Sequence, residues 1–354
     1  MTKDVQLDNV LITGGCNFIG HALVSHILTT SPTTKITILD LPTSLPLFPT
    51  VTYHHIPITD LPAIQAALHL IRPTVIFHTA CTYSLSLPAS THLGINYQGT
   101  LNILAAAQAV GCVKAFVYHS SSSVIEDGYS DLIDARETKP VLFEGEQRFP
   151  YPLSKALAER AVLEANGEGE MLTVSIRPAG TFGEADGEMM EKLLGAAKSG
   201  RAGVQIGDGK NVYDFLYVGN LVLAHVLAAK ALLGAGNGGK VDGEAFHVTN
   251  DEPWLFWDFS RRIAKEAGFE VKNVKVVPRW VAMLFAILTE WWVWVSSFGR
   301  RESELSRHGV RYSCLTRTLN IEKAKKRLGY KPVFNMEEGV KRSVAWYREN
   351  GKLD

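Results

Sequence analysis

Tyr151 and Lys155 stand four residues apart in the run YPLSK (151–155). On a helix, positions four apart share one face. A free tyrosine, with a pKa of ~10, is a poor base at neutral pH. A neighbouring ammonium favours the phenolate, so Lys155 is expected to lower the pKa of Tyr151. Such a pair takes a proton from an alcohol or returns one to a ketone. The spacing alone arises often by chance, so its position in the chain decides its meaning. Upstream, His119 is followed by four serines, Ser120 to Ser123. At the C-terminal end of a strand these hydroxyls would face the crevice where open α/β sheets bind ligands, and one could hydrogen-bond a substrate oxygen. The competing reading is a solvated serine-rich turn.

A second group of residues suits a nucleotide. The run TGGCNFIG (13–20) lies between a β-branched segment and a segment of helical periodicity. Such a turn lets backbone N–H groups and a helix N-terminus meet a pyrophosphate. Gly14, Phe18, Ile19 and Gly20 are the expected contacts. Asp40 ends the next strand, where an acid accepts hydrogen bonds from the adenosine ribose and repels a 2′-phosphate. Leu41, Pro42 and Thr43 follow it, with no Arg or Lys. NAD is therefore favoured over NADP. Thr79 and Ala80, which close the fourth strand, are expected to line the cofactor. Asp60 has two open readings, a contact to the adenine amino group and an N-cap for the helix after it. Asn96 also has two, a residue that holds a water or the active-site helix, and an ordinary buried asparagine. His78 and His119 each end a strand and read as structural or cofactor-lining, since Tyr151 and Lys155 already fill the proton-transfer role.

The elements needed to position these residues are present. Strands are predicted at 9–13, 36–40, 51–56, 74–78, 114–120 and 172–177. Helices are predicted at 18–28, 61–70, 94–109 and 152–165. This alternation, punctuated by Gly and Pro, argues for an α/β fold, a Rossmann-like doubly wound parallel sheet with helices on both faces. Residues 1–178 form the expected NAD-binding domain carrying the catalytic groups. Residues 179–354 form a smaller, partly interleaved substrate-binding region with helices at 187–199, 221–232, 254–267 and 336–347. It has short strands at 204–206 and 246–249, and 234–243 reads as a surface loop.

Composition narrows the function classes. The 354 residues are 46% hydrophobic and 20% charged, with 36 basic and 36 acidic side chains. The zero formal charge leaves no basic footprint for a nucleic-acid partner. Cys16, Cys81, Cys112 and Cys314 are scattered, with no CxxC pair and no metal-ligand spacing, and read as buried thiols. The N-terminus lacks an apolar run, which argues against a cleaved signal peptide.

With these pieces placed, the chain resembles the extended short-chain dehydrogenases, and within them the 3β-hydroxysteroid dehydrogenase family, on its fungal sterol-4α-carboxylate branch. The runs TGGCNFIGHALV (13–24), VIFHTA (75–80), INYQGTLNIL (95–104), FVYHSSSSVI (116–125) and YPLSKALAER (151–160) mark the superfamily. IRPAGTFGE (176–184) and FHVTNDEPWLFWDF (246–259) are more specific to the sterol branch, and DFLYVGNLVLAH (214–225) and NIEKAKKRLGYKP (320–332) extend the likeness along the chain. By position, the resemblance assigns the catalytic serine to Ser121, the Tyr and Lys to Tyr151 and Lys155, and the helix Asn to Asn96. Pro178 falls where the family lines the nicotinamide. The implied reaction is NAD-dependent oxidation of a sterol 3β-hydroxyl beside a 4α-carboxylate, with loss of CO2. Tyr151 acts as base, Ser121 steadies the oxygen, and Lys155 holds the ribose. The product is a β-keto acid, and the same donors can hold the enolate oxygen left when CO2 departs.

Two residues depart from the family pattern. Asn17 stands where the pattern G-x-x-G-x-x-G has its middle glycine. Asn tolerates a left-handed backbone best after Gly, so the turn is expected to survive with modestly weaker cofactor binding. His119 stands where a threonine is common.

Residues 281–298 (VAMLFAILTEWWVWVSSF) form an apolar run with Glu290 inside it, Arg279 before it, and Arg300 and Arg301 after it. A spanning helix needs about 20 apolar residues, and tryptophans suit the membrane interface. Three readings are open, namely an interfacial helix or substrate gate, a buried core helix, and a true span. The resemblance implies the cytosolic face of the endoplasmic reticulum membrane. A core helix would instead leave the protein cytoplasmic. A homodimer or a sterol-demethylation complex is compatible with either. Two other functions remain open, the same chemistry on another triterpenoid or steroid of fungal secondary metabolism, and a catalytically silent NAD(P)-binding sensor.

Overall fold

The computed structural model describes residues 5–353 apart from 44, 85–86, 236–237, 298–302 and 304. Its main layer is a seven-stranded parallel sheet. The strands are β1 (Asn9–Thr13), β2 (Lys35–Asp40), β3 (Thr52–His55), β4 (Val75–His78), β5 (Ala115–His119), β6 (Leu172–Pro178) and β7 (Glu244–Val248). They lie in the order β7-β6-β5-β4-β1-β2-β3. Strand order reverses at the β1/β4 boundary, and ligands of such sheets bind outside the strand C-termini at that point.

The strands are buried on both faces because alternate side chains enter two separate cores. Val10, Ile12, Val75, Phe77 and Val117 face one core with α1 (Phe18–Thr30) and α5 (Val218–Lys230). Leu11, Ile76, Phe116 and Tyr118 face the other with α2 (Leu61–Ile71), α3 (Gly99–Val110) and α4 (Pro150–Glu164). One central strand thus sends neighbours such as Tyr118 and His119 to opposite faces.

The two halves of the sequence are more entwined than a boundary at 178 suggests. The short strand predicted near 246–249 is β7, the edge of the main sheet, paired with β6 from Glu244 alongside Val174. The helix predicted near 221–232 is α5, which packs beside α1. A second sheet of four short strands joins Leu132–Ala135 to Val212–Tyr213, Trp254–Leu255 and Arg317–Leu319. The predicted helix 94–109 is two structures, a π-helical turn at Leu93–Gln98 and then α3. Such π-turns concentrate at functional sites because they redirect a side chain.

The apolar run forms α6 (Arg279–Ser297), and α7 (Arg307–Tyr312) packs against it. Phe298, Arg300 and Arg301 lie outside the described residues. Only Ala282 and Ala286 of α6 are buried. The core-helix reading is therefore incorrect for this chain: Trp280, Phe285, Leu288, Trp291, Trp292 and Trp294 are all exposed.

Candidate active site

The turn after β1 is built on glycine for two reasons. Gly14 has φ +75°, and a Cβ there would stand 2.5 Å from the Ala80 backbone nitrogen. A Cβ on Gly20 would stand 2.1 Å from the Gly14 carbonyl oxygen. The loop after β4 and the first turn of α1 can close on this turn only while both positions lack a side chain. The first amides of α1 have no partner within the helix and face the cleft mouth.

Asn17 does not take the left-handed backbone expected of it. Its φ is −101° and its ψ 171°, an extended N-cap position that any residue adopts. The left-handed residue of the turn is Gly14, which sits where the chain reverses from strand to helix. The Asn17 side chain turns sideways, its Nδ2 3.4 Å from Asp40 Oδ2. That carboxylate oxygen also accepts the Cys16 N–H at 2.9 Å, and Oδ1 accepts the Leu41 N–H at 2.8 Å. Burial raises the Asp40 pKa, and these two N–H groups work against it. Asp60 accepts the Ala63 N–H at 3.0 Å, so it is an N-cap of α2. Thr79 donates to the Thr13 carbonyl at 2.8 Å and ties the two strand ends together.

α4 begins at Pro150, whose missing N–H costs nothing in a first turn, and this start puts Tyr151 at the cleft. Ser123 donates its N–H (3.2 Å) and its hydroxyl (2.8 Å) to Ser121 Oγ. The Ser121 hydroxyl lies close enough to the Tyr151 phenol to work against the rise in its pKa. Ser123 thus orients Ser121 beside Tyr151. Ser123 was not singled out from the sequence, because four consecutive serines look alike there.

Lys155 lies one turn further along α4, fully buried. Its ammonium donates to the His119 carbonyl at the end of β5 and lies 4.4 Å above the Tyr118 ring. Burial lowers its pKa, while Cys81 and Glu159 work the other way. The expected lowering of Tyr151 by Lys155 is not what the structure gives. Burial, followed by the Cys81 thiol, pushes the phenol up, and only the Ser121 bond opposes them. Desolvation of a phenolate outweighs an ammonium already engaged with a carbonyl.

Asn96 projects from the π-turn and is fully bonded. It accepts the Thr82 N–H at 2.7 Å and donates to the Thr82 carbonyl at 2.8 Å and to Ser154 Oγ at 3.0 Å. It thus clamps the loop after β4 to α4 beside Lys155. His78 bridges Thr13 (2.5 Å) and Thr100 (2.8 Å) inside the fold. Burial holds it neutral, at a pKa of about 3. Of the four free cysteines Cys16, in the turn after β1, is buried, and Cys81, Cys112 and Cys314 are partly exposed, so the expectation of buried thiols holds for Cys16 alone.

Asn17, Phe18, Ile19, Gly20, Thr79, Tyr151, Ser121, His119 and Pro178 line one cleft of about 560 Å³. Gly14, Asp40, Ala80, Asn96 and Lys155 are not among its lining residues. Beyond Tyr151 the lining turns apolar, with Phe149, Met189, Leu193, Phe215, Phe256 and Phe259. A buried cation also reaches this wall. Arg317 pairs with Glu126 and stacks 4.0 Å from the Tyr312 ring centre, while its Nε has no partner. Burial lowers its pKa to about 10. No sequence motif pointed to Arg317, since Glu126 lies 191 positions away.

The arrangement offers a proton-transfer group, an oxygen donor and a nucleotide turn at the end of an apolar cleft. A family model described as the 3-beta hydroxysteroid dehydrogenase/isomerase family matches residues 11–279. This chain belongs to that family. Over 98% of its length it is 35% identical to the decarboxylating sterol-4-alpha-carboxylate 3-dehydrogenase of Candida albicans, of which it covers 99%. The enzyme of the same description from Saccharomyces cerevisiae is 36% identical, with 97% of this chain and 99% of the relative covered. The mouse enzyme is 34% identical over 77% of this chain and 73% of its own. Among solved structures, the UDP-glucose 4-epimerase of Thermotoga maritima superposes with a TM-score of 0.74 at 22% identity, covering 97% of this chain and 99% of its own. The dTDP-glucose 4,6-dehydratase of Bacillus anthracis, solved with NAD, gives 0.71 at 19% identity, covering 98% of each chain. These structures share the fold of this family member.

The geometry around Asn17 yields a prediction. Its amide competes for the carboxylate that a ribose would use. Asn17→Gly is expected to tighten NAD binding about twofold, the worth of one weak exposed hydrogen bond. Calorimetric titration of both proteins measures this, and unchanged or weaker binding in the variant would overturn it.

Proposed function

We propose that this chain oxidises the 3β-hydroxyl of a sterol 4α-carboxylate to the ketone with release of CO2, using NAD. The observation that carries the reading is the grouping of Ser123, Ser121 and Tyr151 on the wall of a cleft that is mostly apolar and also lined by a buried arginine. The full-length likeness to decarboxylating sterol dehydrogenases supports the choice of substrate. Bound NAD would supply the hydride acceptor and a positive charge beside the phenol. The glycine turn and Asp40 fit such a dinucleotide, because a Cβ at Gly14 or Gly20 would close the turn against itself.

The chain's own groups divide the work as follows. Tyr151, with its raised pKa, holds its proton until a second cation joins Lys155 beside it; it then releases that proton through the cleft to solvent and, as the phenolate, accepts the proton of the 3β-hydroxyl. Ser121, donating to the same oxygen, positions it. Lys155 holds the end of β5, and with it the position of Tyr151 one turn earlier on α4. The oxidised product is a β-keto acid, and CO2 loss leaves an enolate whose oxygen meets the donors already in place. The proton released by oxidation balances the one taken up at C4 after CO2 leaves, so no separate decarboxylation group is required. Arg317 is the cation on the cleft wall suited to the 4α-carboxylate.

The substrate's insolubility in water gives α6 a role. We place its exposed tryptophans at a membrane surface, on the cytosolic side of the endoplasmic reticulum. Interfacial helices bury one apolar face among the headgroups, where Trp is favoured. A span is disfavoured, because Glu290 accepts the Arg307 N–H at 2.7 Å and its side chain at 2.5 Å, which fastens the helix along the protein. α7, which carries His308 and Tyr312 to the cleft wall, packs between α6 and the cleft.

Three outcomes follow. Tyr151→Phe is expected to abolish both NADH formation and CO2 release from a 3β-hydroxysterol 4α-carboxylate, and CO2 release persisting in that variant would refute a single site. Arg317→Gln is expected to raise KM for the acid about tenfold or more, with turnover of the sterol lacking the acid unchanged. Equal losses on both sterols would remove Arg317 from carboxylate recognition. Sedimentation with phosphatidylcholine and phosphatidylinositol vesicles is expected to carry the wild-type chain and to leave Trp291→Glu/Trp292→Glu in solution. Equal sedimentation would place the membrane contact elsewhere.

A further inference from the structure

A buried pair of histidines runs from α5 to the cleft wall, and its hydrogen bonds have a direction. His225 Nδ1 lies 2.9 Å from the Leu221 carbonyl of its own helix. A carbonyl only accepts, so Nδ1 carries the hydrogen and His225 Nε2 keeps a lone pair. That lone pair faces His119 Nδ1 at 3.3 Å. The two rings are 27° from coplanar with centres 5.3 Å apart, so they meet edge to edge. His119 Nδ1 therefore donates to His225. Both rings are neutral, since burial, the largest influence, holds His225 at about 4 and His119 well below the usual range.

The tautomer of His119 is thereby fixed, with its hydrogen on Nδ1 and a bare lone pair on Nε2. No described residue donates to that nitrogen. His119 lines the cleft beside Ser120, Ser121, Pro178 and Ala179, so its Nε2 offers the cleft an acceptor. The same residue's carbonyl holds Lys155. A bound dinucleotide would set its adenosine end against the glycine turn and Asp40. The substrate hydroxyl belongs to Tyr151 and Ser121. The donor left for this stretch of wall is the carboxamide N–H of the nicotinamide.

We propose that His119 Nε2 accepts a hydrogen bond from the nicotinamide carboxamide, and that His225 is the positioning residue that keeps His119 an acceptor. The assignment rests on the NAD reading above. It gives this chain a side-chain gauge of ring orientation at a position where a threonine would be too short to reach α5.

Calorimetric titration of the full chain with NADH and with ADP-ribose, which lacks the nicotinamide, separates the possibilities. His119→Phe keeps an aromatic ring at the position and removes the acceptor. It is expected to weaken NADH about fivefold, the worth of one buried hydrogen bond, and to leave ADP-ribose unchanged. The wild-type chain provides a measurement that needs no variant. It should bind the 3-acetylpyridine analogue of NAD, whose methyl ketone has no N–H, about fivefold more weakly than NAD, and His119→Phe should erase that difference. Equal weakening of NADH and ADP-ribose in the variant, or no discrimination against the analogue by the wild type, would overturn the assignment while leaving the cofactor reading intact. Failure of the wild type to bind either NADH or ADP-ribose would overturn both.

Discussion

The site depends on a buried ammonium. Lys155 spends its charge on the His119 carbonyl and the Tyr118 ring, inside a wall that excludes water. Burying an ammonium is costly unless it is paired and hydrogen-bonded. The contact therefore fixes α4 to the end of β5 with little freedom. Because Tyr151 precedes Lys155 by one turn and Ser121 follows His119 by two residues, the same contact sets phenol against hydroxyl. One turn beyond Lys155, Glu159 takes Arg177 at 2.6 Å and Ser175 at 2.7 Å, which fixes α4 to β6 as well. Burial penalises this carboxylate, yet Arg177 and Ser175 hold it below its usual range. Removing either partner would strand a buried charge at a cost of about 3–5 kcal/mol. Asn96 fixes the third side of the same helix through Ser154.

This rigidity explains why Tyr151 is a protonated phenol in the protein alone. The phenol lines the cleft but is largely withdrawn from water, which disfavours the phenolate, and Lys155 is already committed to a carbonyl. Under the mechanism proposed above, the base becomes available only when additional positive charge enters the cleft, which would couple proton transfer to the arrival of the electron acceptor.

Much of this was legible in the sequence, and what was not has a common cause. Short β-branched and apolar runs and period-3.6 patterns disclose most of β1 to β6 and the helices between them, because strands buried on both faces demand continuous apolar residues. The spacing of Tyr151 and Lys155 is itself a helical period. The sign of the Asn17 backbone was not legible, since the reversal could be placed on either Gly14 or Asn17, and only the approach of Ala80 assigns it to Gly14. The choice of Ser121 over its three neighbours came from the family likeness, and the donor Ser123 from neither. Arg317 and His225 escaped notice because their partners are remote in sequence, and long-range pairs leave no periodic trace. The exposure of α6 also could not be read from an apolar run, since core, interfacial and spanning helices share that composition.

The cleft and α6 answer to one constraint, a substrate that water does not dissolve. An apolar cleft open to water would hold a sterol well but receive it slowly, because the free concentration of such a molecule is small. Under the membrane docking proposed above, the exposure of most of α6 meets that difficulty. What seats the helix on the protein is Ala282, Ala286 and Met283 in a small cluster with Val310 and Leu305, together with Glu290 against Arg307. Most of its large side chains are left exposed. Val310 and Arg307 belong to the short helix that also sets Tyr312 beneath Arg317. The seat of the apolar helix and the wall that faces an acidic substrate are therefore two sides of one element, and a shift at one cannot leave the other unmoved.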